Sequence, residues 1–97
     1  MRTKNVKDQI EIDDAHKFTG FDAGKKLINS GIDVVLLAEP PHFRSHHLRL
    51  AVEKGLHVFC EKPVAVDGAG VRSVLETVEI ARQKKLSVVS GLCWRYD

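Results

Sequence analysis

The chain has no run approaching 18 consecutive apolar residues, so nothing in its 97 residues reads as a helix able to cross a bilayer. Its opening, MRTKNVKDQIEIDD, holds no apolar stretch of signal-peptide length. Cytoplasmic location is a default and not an inference from these absences, and a segment upstream would be free to carry an export signal. Cysteine is scarce. Cys60 and Cys93 are too few for a disulfide framework, and each lies in an apolar, strand-like run where a buried, reduced thiol is the expectation. There is no CxxC, no HExxH and no cysteine–histidine set at zinc-site spacing, so no metal is expected despite five histidines. Charge of one sign is lacking too. Fifteen Lys and Arg face thirteen Asp and Glu, and a net charge of +2 gives little attraction to nucleic acid or anionic lipid. The basic residues are scattered, and no glycine–aromatic nucleic-acid module accompanies them. No repeat, linker or low-complexity segment divides the chain.

The ordinary mixture that remains, 43% hydrophobic and 29% charged, belongs to a globular domain rather than a disordered or fibrous chain. A domain this short buries only about 60–65% of its extended surface, which leaves a thin stability margin.

Residues 1–15 are polar and weakly periodic, a poorly defined or flexible start. Lys17–Thr19 reads as a short strand, and Asp22 as the cap of a helix from Ala23 to Asn29. Val34 to Ala38 is apolar and rich in β-branched residues, the pattern of a parallel strand covered on both faces. Pro40–Pro41 breaks the chain, and a helix opens at Phe43 or Arg44 and runs to Lys54, ended by Gly55. Its expected buried stripe is Phe43, Leu48, Ala51 and Val52. His57 to Cys60 is the next strand. Asp67 is placed to cap a long helix whose apolar positions are Val71, Val74, Leu75, Val78 and Ala81, with Lys84 and Lys85 at its carboxyl end. Leu86 to Leu92 reads as a further strand. Strands alternating with helices in this way predict an α/β fold with a parallel sheet and right-handed crossovers.

Chemistry concentrates where the strands stop, because ligands of open α/β sheets bind outside the carboxyl ends of the strands. Lys62, in the triplet Glu61-Lys62-Pro63, is the first candidate: an ammonium there can donate a hydrogen bond or a proton to a reacting oxygen. Glu61 either orients it or lies against a helix, and Pro63 fixes the backbone beyond. The bland reading is a solvated Glu–Lys pair opening a turn. The turn Glu39-Pro40-Pro41-His42 occupies the corresponding edge of the preceding strand, where the sugars or pyrophosphate of a dinucleotide lie. Arg44, near the following helix start, either meets phosphate together with free backbone N–H groups or is a solvated surface residue. His42 is equally readable as a plain loop histidine. His46 and His47 are adjacent in a helix and point in different directions.

From Phe21 to Asp97 the chain resembles the nucleotide-binding domain of the glucose–fructose oxidoreductase, inositol dehydrogenase and rhizopine-catabolism (Gfo/Idh/MocA) family. The matching pieces are GFDAGKKLI, DVVLLAEPPHFRSHHLRLAVEKGLHVFCEKPVAVD and SVVSGLCWRYD, in the expected order. The resemblance implies a Rossmann-like, three-layer α/β/α domain. It implies that Lys62 lies beside the nicotinamide and the substrate hydroxyl, with Glu61 and Pro63 completing that motif. It places Pro40, Pro41 and His42 along the cofactor and Arg95 near the substrate side of the cleft. The cofactor implied is NAD or NADP, and the substrate a sugar, a polyol or a derivative of one.

The departures are as informative. Such a domain should begin with a strand and a GxGxxG turn that holds the pyrophosphate, and none occurs here. The acidic strand end for the adenosine ribose is lacking, and Glu39 stands where the family commonly has a small hydroxylated residue. The substrate domain that the resemblance implies is not within these 97 residues. The expectation is an incomplete nucleotide-binding domain, residues 1–97, from a NAD(P)-dependent oxidoreductase, inactive as a 97-residue chain. The alternatives are a non-catalytic truncated product, or a weak binding or oligomerising module whose exposed sheet edges and faces seek cover.

Overall fold

The computed structural model describes residues 11–96. Three parallel strands form one sheet in the order β1 (Val34–Leu37), β2 (His57–Glu61), β3 (Val88–Gly91). The helices are α1 (Ala23–Ile28), α2 (Arg44–Glu53), α3 (Gly68–Gln83) and a short α4 (Cys93–Tyr96). Val35 pairs with Val58 and Leu37 with Cys60; Val58 pairs with Val88 and Glu61 with Gly91. Because strand side chains alternate, this register gathers Val35, Leu37, Val58 and Cys60 on one face. There they are buried against Leu48, Ala51 and Val52 of α2. Burying a leucine or valine side chain stabilises by about 1.5–3 kcal/mol, so this single apolar layer carries most of the driving force. The opposite face, Val34, Leu36 and Val89, is open among the described residues, with Leu36 72% exposed.

Both long helices end in the same way. In α2, Gly55 takes the left-handed φ of 87°, its N–H bonding Val52, while Leu56 N–H reaches back to Ala51. In α3, Lys85 takes the equivalent place at φ 58°, with bonds from Lys85 to Arg82 and Leu86 to Ala81. This paired return satisfies helix-end carbonyls in each case. Asp67 caps α3 as the sequence indicates, accepting from the Gly70 N–H at 2.7 Å.

Several expectations need correction. Residues 17–19 form no strand, and the segment before them holds only a 3₁₀ turn over Asp14–His16; residues 1–10 lie outside the described part. Asp22 does not cap α1 with its side chain and instead pairs with Lys26 one turn on, at 3.2 Å. Phe43 is exposed, and Arg44 is buried in its place. On α3, Val71, Leu75 and Val78 face outward, whereas Thr77 and Ala81 are buried. The reason is that α3 packs chiefly against α2, so the face that closes on α2 is the buried one. Thr77 resolves its hydroxyl by donating to the Ser73 carbonyl at 2.7 Å. The last strand stops at Gly91, and Cys93 opens α4 as an exposed thiol.

Candidate functional site at the carboxyl edge of the sheet

Because the strands are parallel, their three carboxyl ends share one edge of the sheet, and β2 is in the middle. This single fact brings most of the candidate residues together. Pro40, Pro41 and His42 follow β1, Glu61, Lys62 and Pro63 end β2, and Arg95 lies in α4 just beyond β3.

On the β1 side, Pro40 holds φ at −53° and leads into a 3₁₀ turn over Pro41–Phe43 that runs straight into α2. His42 and Phe43 are exposed at this turn, with the Phe43 ring stacked on His47 at 6.2 Å. Glu39 does not project toward the edge. Its carboxylate turns under the chain to within 3.5 Å of His47 Nδ1, an ion pair only when that imidazole is protonated. Glu39 Oε1 is buried without a hydrogen bond. Glu39 and His47 form one end of an otherwise apolar cavity of about 460 Å³ between α1 and the free edge of β1, with Phe21, Leu27 and Leu36 among its walls. Lys62 is not among the residues that line this cavity.

Arg44 is the residue whose place the sequence does not foretell. It sits beneath the turns, 3% exposed, and its guanidinium faces backbone rather than an external anion. Nη1 donates to the Glu61 carbonyl at 3.0 Å and to the Pro63 carbonyl at 2.8 Å, and Nη2 donates to the Glu39 carbonyl.

At the end of β2, Lys62 is exposed and the bond to Pro63 is cis. Among the described residues the Lys62 ammonium pairs with no carboxylate, Glu61 included. Neighbouring strand residues point to opposite faces, and Glu61 instead lies over Gly91 of β3. Cys60, just behind, is pushed up to about 11, first by burial and then by the negative charges of Glu39 and Glu61, with Arg44 opposing. A thiol so protonated is a packing group and not a nucleophile. Beyond β3, Trp94 (86% exposed) and Arg95 stand out from α4. The edge thus offers one unpaired ammonium between two projecting rims, a donor for an oxygen that gains negative charge.

A sequence model of the oxidoreductase family with an NAD-binding Rossmann fold, GFO_IDH_MocA, matches residues 2–92. An inositol 2-dehydrogenase of Streptomyces avermitilis is 37% identical over 67 residues, 69% of this chain and 19% of that protein. A D-xylose 1-dehydrogenase (NADP(+)) of Hypocrea jecorina is 36% identical over 73 residues, 72% of this chain and 17% of that one. Among solved structures, scyllo-inositol dehydrogenase from Lactobacillus casei, with bound NAD(H) and scyllo-inositol, superposes with a TM-score of 0.65 at 26% identity. That match covers 76% of this chain and 22% of the dehydrogenase. The chain therefore spans about a fifth of the length of the proteins it matches.

Proposed function

The chain belongs to the Gfo/Idh/MocA family of oxidoreductases with an NAD-binding Rossmann fold, and from that premise we propose that its carboxyl edge is the nicotinamide side of a sugar or polyol dehydrogenase. The observation that carries this reading is the position of Lys62: exposed, at the end of the central strand, with a strand-end turn on either side. Relatives of this chain act on inositol and on D-xylose, and a cyclic polyol or aldose is the substrate class proposed here.

The donor set fits the nicotinamide half of such a cofactor. Lys62 supplies the one cation at the centre, Pro40, Pro41 and His42 supply a rigid rim, and Glu39 keeps its carboxylate turned under the chain toward His47. The 97 residues contain no GxGxxG turn, so the pyrophosphate cradle is not among the groups these residues provide. A bound nicotinamide dinucleotide supplies the hydride acceptor or donor. The contribution of this chain is positional and protonic. The Lys62 ammonium donates a hydrogen bond to the oxygen of the reacting hydroxyl and relays its proton, taking that proton up as it hands one of its own to water, and the reverse reaction runs the same relay backwards. Arg95 lies toward the substrate side and binds the remaining hydroxyls.

Calorimetric titration of the purified chain with NAD+, NADH, NADP+ and NADPH tests the reading and decides between the two cofactors. Saturable binding that Lys62→Ala weakens tenfold is expected, without turnover of any polyol. Heats that never saturate, or that are the same for Lys62→Ala, refute it.

A further inference from the structure

A guanidinium carries five N–H donors in one plane, and it is among the costliest side chains to bury without partners. Arg44 is buried all the same, at the first position of α2. Its hydrogen bonds do not run within α2. The Glu39 carbonyl belongs to the turn after β1, while the Glu61 carbonyl ends β2 and the Pro63 carbonyl belongs to the turn that follows it. Glu61 and Pro63 are the residues immediately before and after Lys62. One side chain from a third element therefore grips the backbone on both sides of the lysine and ties it to the Pro40 turn opposite.

We propose that Arg44 is a positioning residue for Lys62, a pin that fixes the lysine's backbone and sets the separation between the two strand-end turns. This deepens the reading given under Proposed function and rests on it. Two alternatives fit the geometry less well. A phosphate-binding arginine would present its donors to solvent, whereas here both terminal nitrogens engage carbonyls beneath the turns. A space-filling residue would need no charge, and an apolar side chain of similar length would cover the same surface without bringing a cation out of water. What only the arginine provides is a planar fork reaching three acceptors on two segments. A lysine carries the same charge on a single ammonium and cannot span them.

The test measures backbone order at the pinned turn in the full ¹⁵N-labelled 97-residue chain, without cofactor. The variants are Arg44→Met, Arg44→Lys and, as a control, Val52→Ala, which weakens the core on the same helix at a position buried away from the turn. In the unaltered chain Glu61, Lys62 and Val64 should show order parameters of about 0.85, and in Arg44→Met Lys62 and Val64 should fall below about 0.6 while the middle of α2 stays rigid. Arg44→Lys should restore only part of the order. Val52→Ala should lower the urea midpoint and leave the turn as rigid as before. Order at Lys62 and Val64 unchanged in Arg44→Met overturns the proposal, as does equal loosening in Val52→Ala. Should Arg44→Met not fold, Arg44→Lys decides alone: full rigidity at Lys62 overturns the pin, and partial loosening supports it. Because no cofactor is present, a failure to bind NAD(H) would sink the functional reading and leave this result standing, and the converse also holds.

Discussion

The carboxylate of Glu61 lies across Gly91 of the neighbouring strand, so closely that a Cβ on Gly91 would come within 2.8 Å of the carboxylate carbon and 3.1 Å of the Phe59 ring. The two residues are directly paired between β2 and β3. Glycine at 91 is thus what lets Glu61 rest on the sheet instead of reaching toward Lys62. In Gly91→Ala the flexible carboxylate swings aside, the ring edge shifts by a few tenths of an ångström, and stability falls by about 1 kcal/mol. Urea unfolding measures the loss, and the nuclear Overhauser contact between the Glu61 γ-methylene and the backbone of residue 91 should weaken. An unchanged midpoint with the contact retained contradicts this packing.

The two helix ends differ by one residue type at the left-handed position, Gly55 after α2 and Lys85 after α3. A side chain in that conformation costs about 1–2 kcal/mol relative to glycine. Lys85→Gly is therefore expected to raise stability by about 0.5–1 kcal/mol, less than the full penalty because glycine also gains freedom in the unfolded chain. Its neighbour should behave oppositely. Lys84 Nζ donates to the Val52 and Glu53 carbonyls at the end of α2, at 3.2 and 2.8 Å. Lys84→Met removes those bonds at the negative end of the helix and should cost about 1 kcal/mol. Thermal melts of the two variants moving in the same direction would refute this account of the junction.

The two thiols should be chemically distinct. Cys93 is exposed and Cys60 is buried with its thiol pushed up to about 11. At pH 8 iodoacetamide should label Cys93 in the folded chain and spare Cys60 until urea is added. The same shift has a sign in stability. In the unfolded chain the Cys60 thiol ionises near its ordinary value of 9.0, whereas in the fold it keeps its proton to about 11. Its contribution is therefore fully present below pH 9 and is lost as pH rises from 9 to 11, at up to about 1.4 kcal/mol per pH unit. Comparing urea midpoints at pH 8 and 10.5 for the natural chain and Cys60→Ala isolates this term from lysine titration. Equal pH dependence in both would contradict it.

Much of the fold is legible in local pattern. The β-branched run Val34–Leu37, the Gly55 stop and the Asp67 cap are each set by neighbours within a few residues, and each is where the pattern puts it. The parallel order also follows from the alternation of strands and helices, and with it the gathering of Pro40, Lys62 and Arg95 on one edge. What local pattern does not reveal depends on partners distant in sequence. Helix α3 carries more apolar positions than one face can hold, and only its packing on α2 selects Thr77 and Ala81 over Val71 and Leu75. Arg44 reads as a surface or phosphate residue because its three acceptors come from residues 39, 61 and 63. Cys93 looks like strand until the backbone turns into α4 after Gly91.

We propose that the nicotinamide cofactor docks on the edge centred on Lys62. Titration of the ¹⁵N-labelled chain with NADH, followed residue by residue through amide chemical shifts, tests it most directly. The account predicts saturable shifts confined to Glu39, His42, Lys62, Gly91 and Leu92, with millimolar affinity and a tenfold weakening in Lys62→Ala. Shifts centred instead on the cavity between α1 and β1, or no saturable shifts at the Lys62 edge, would contradict it.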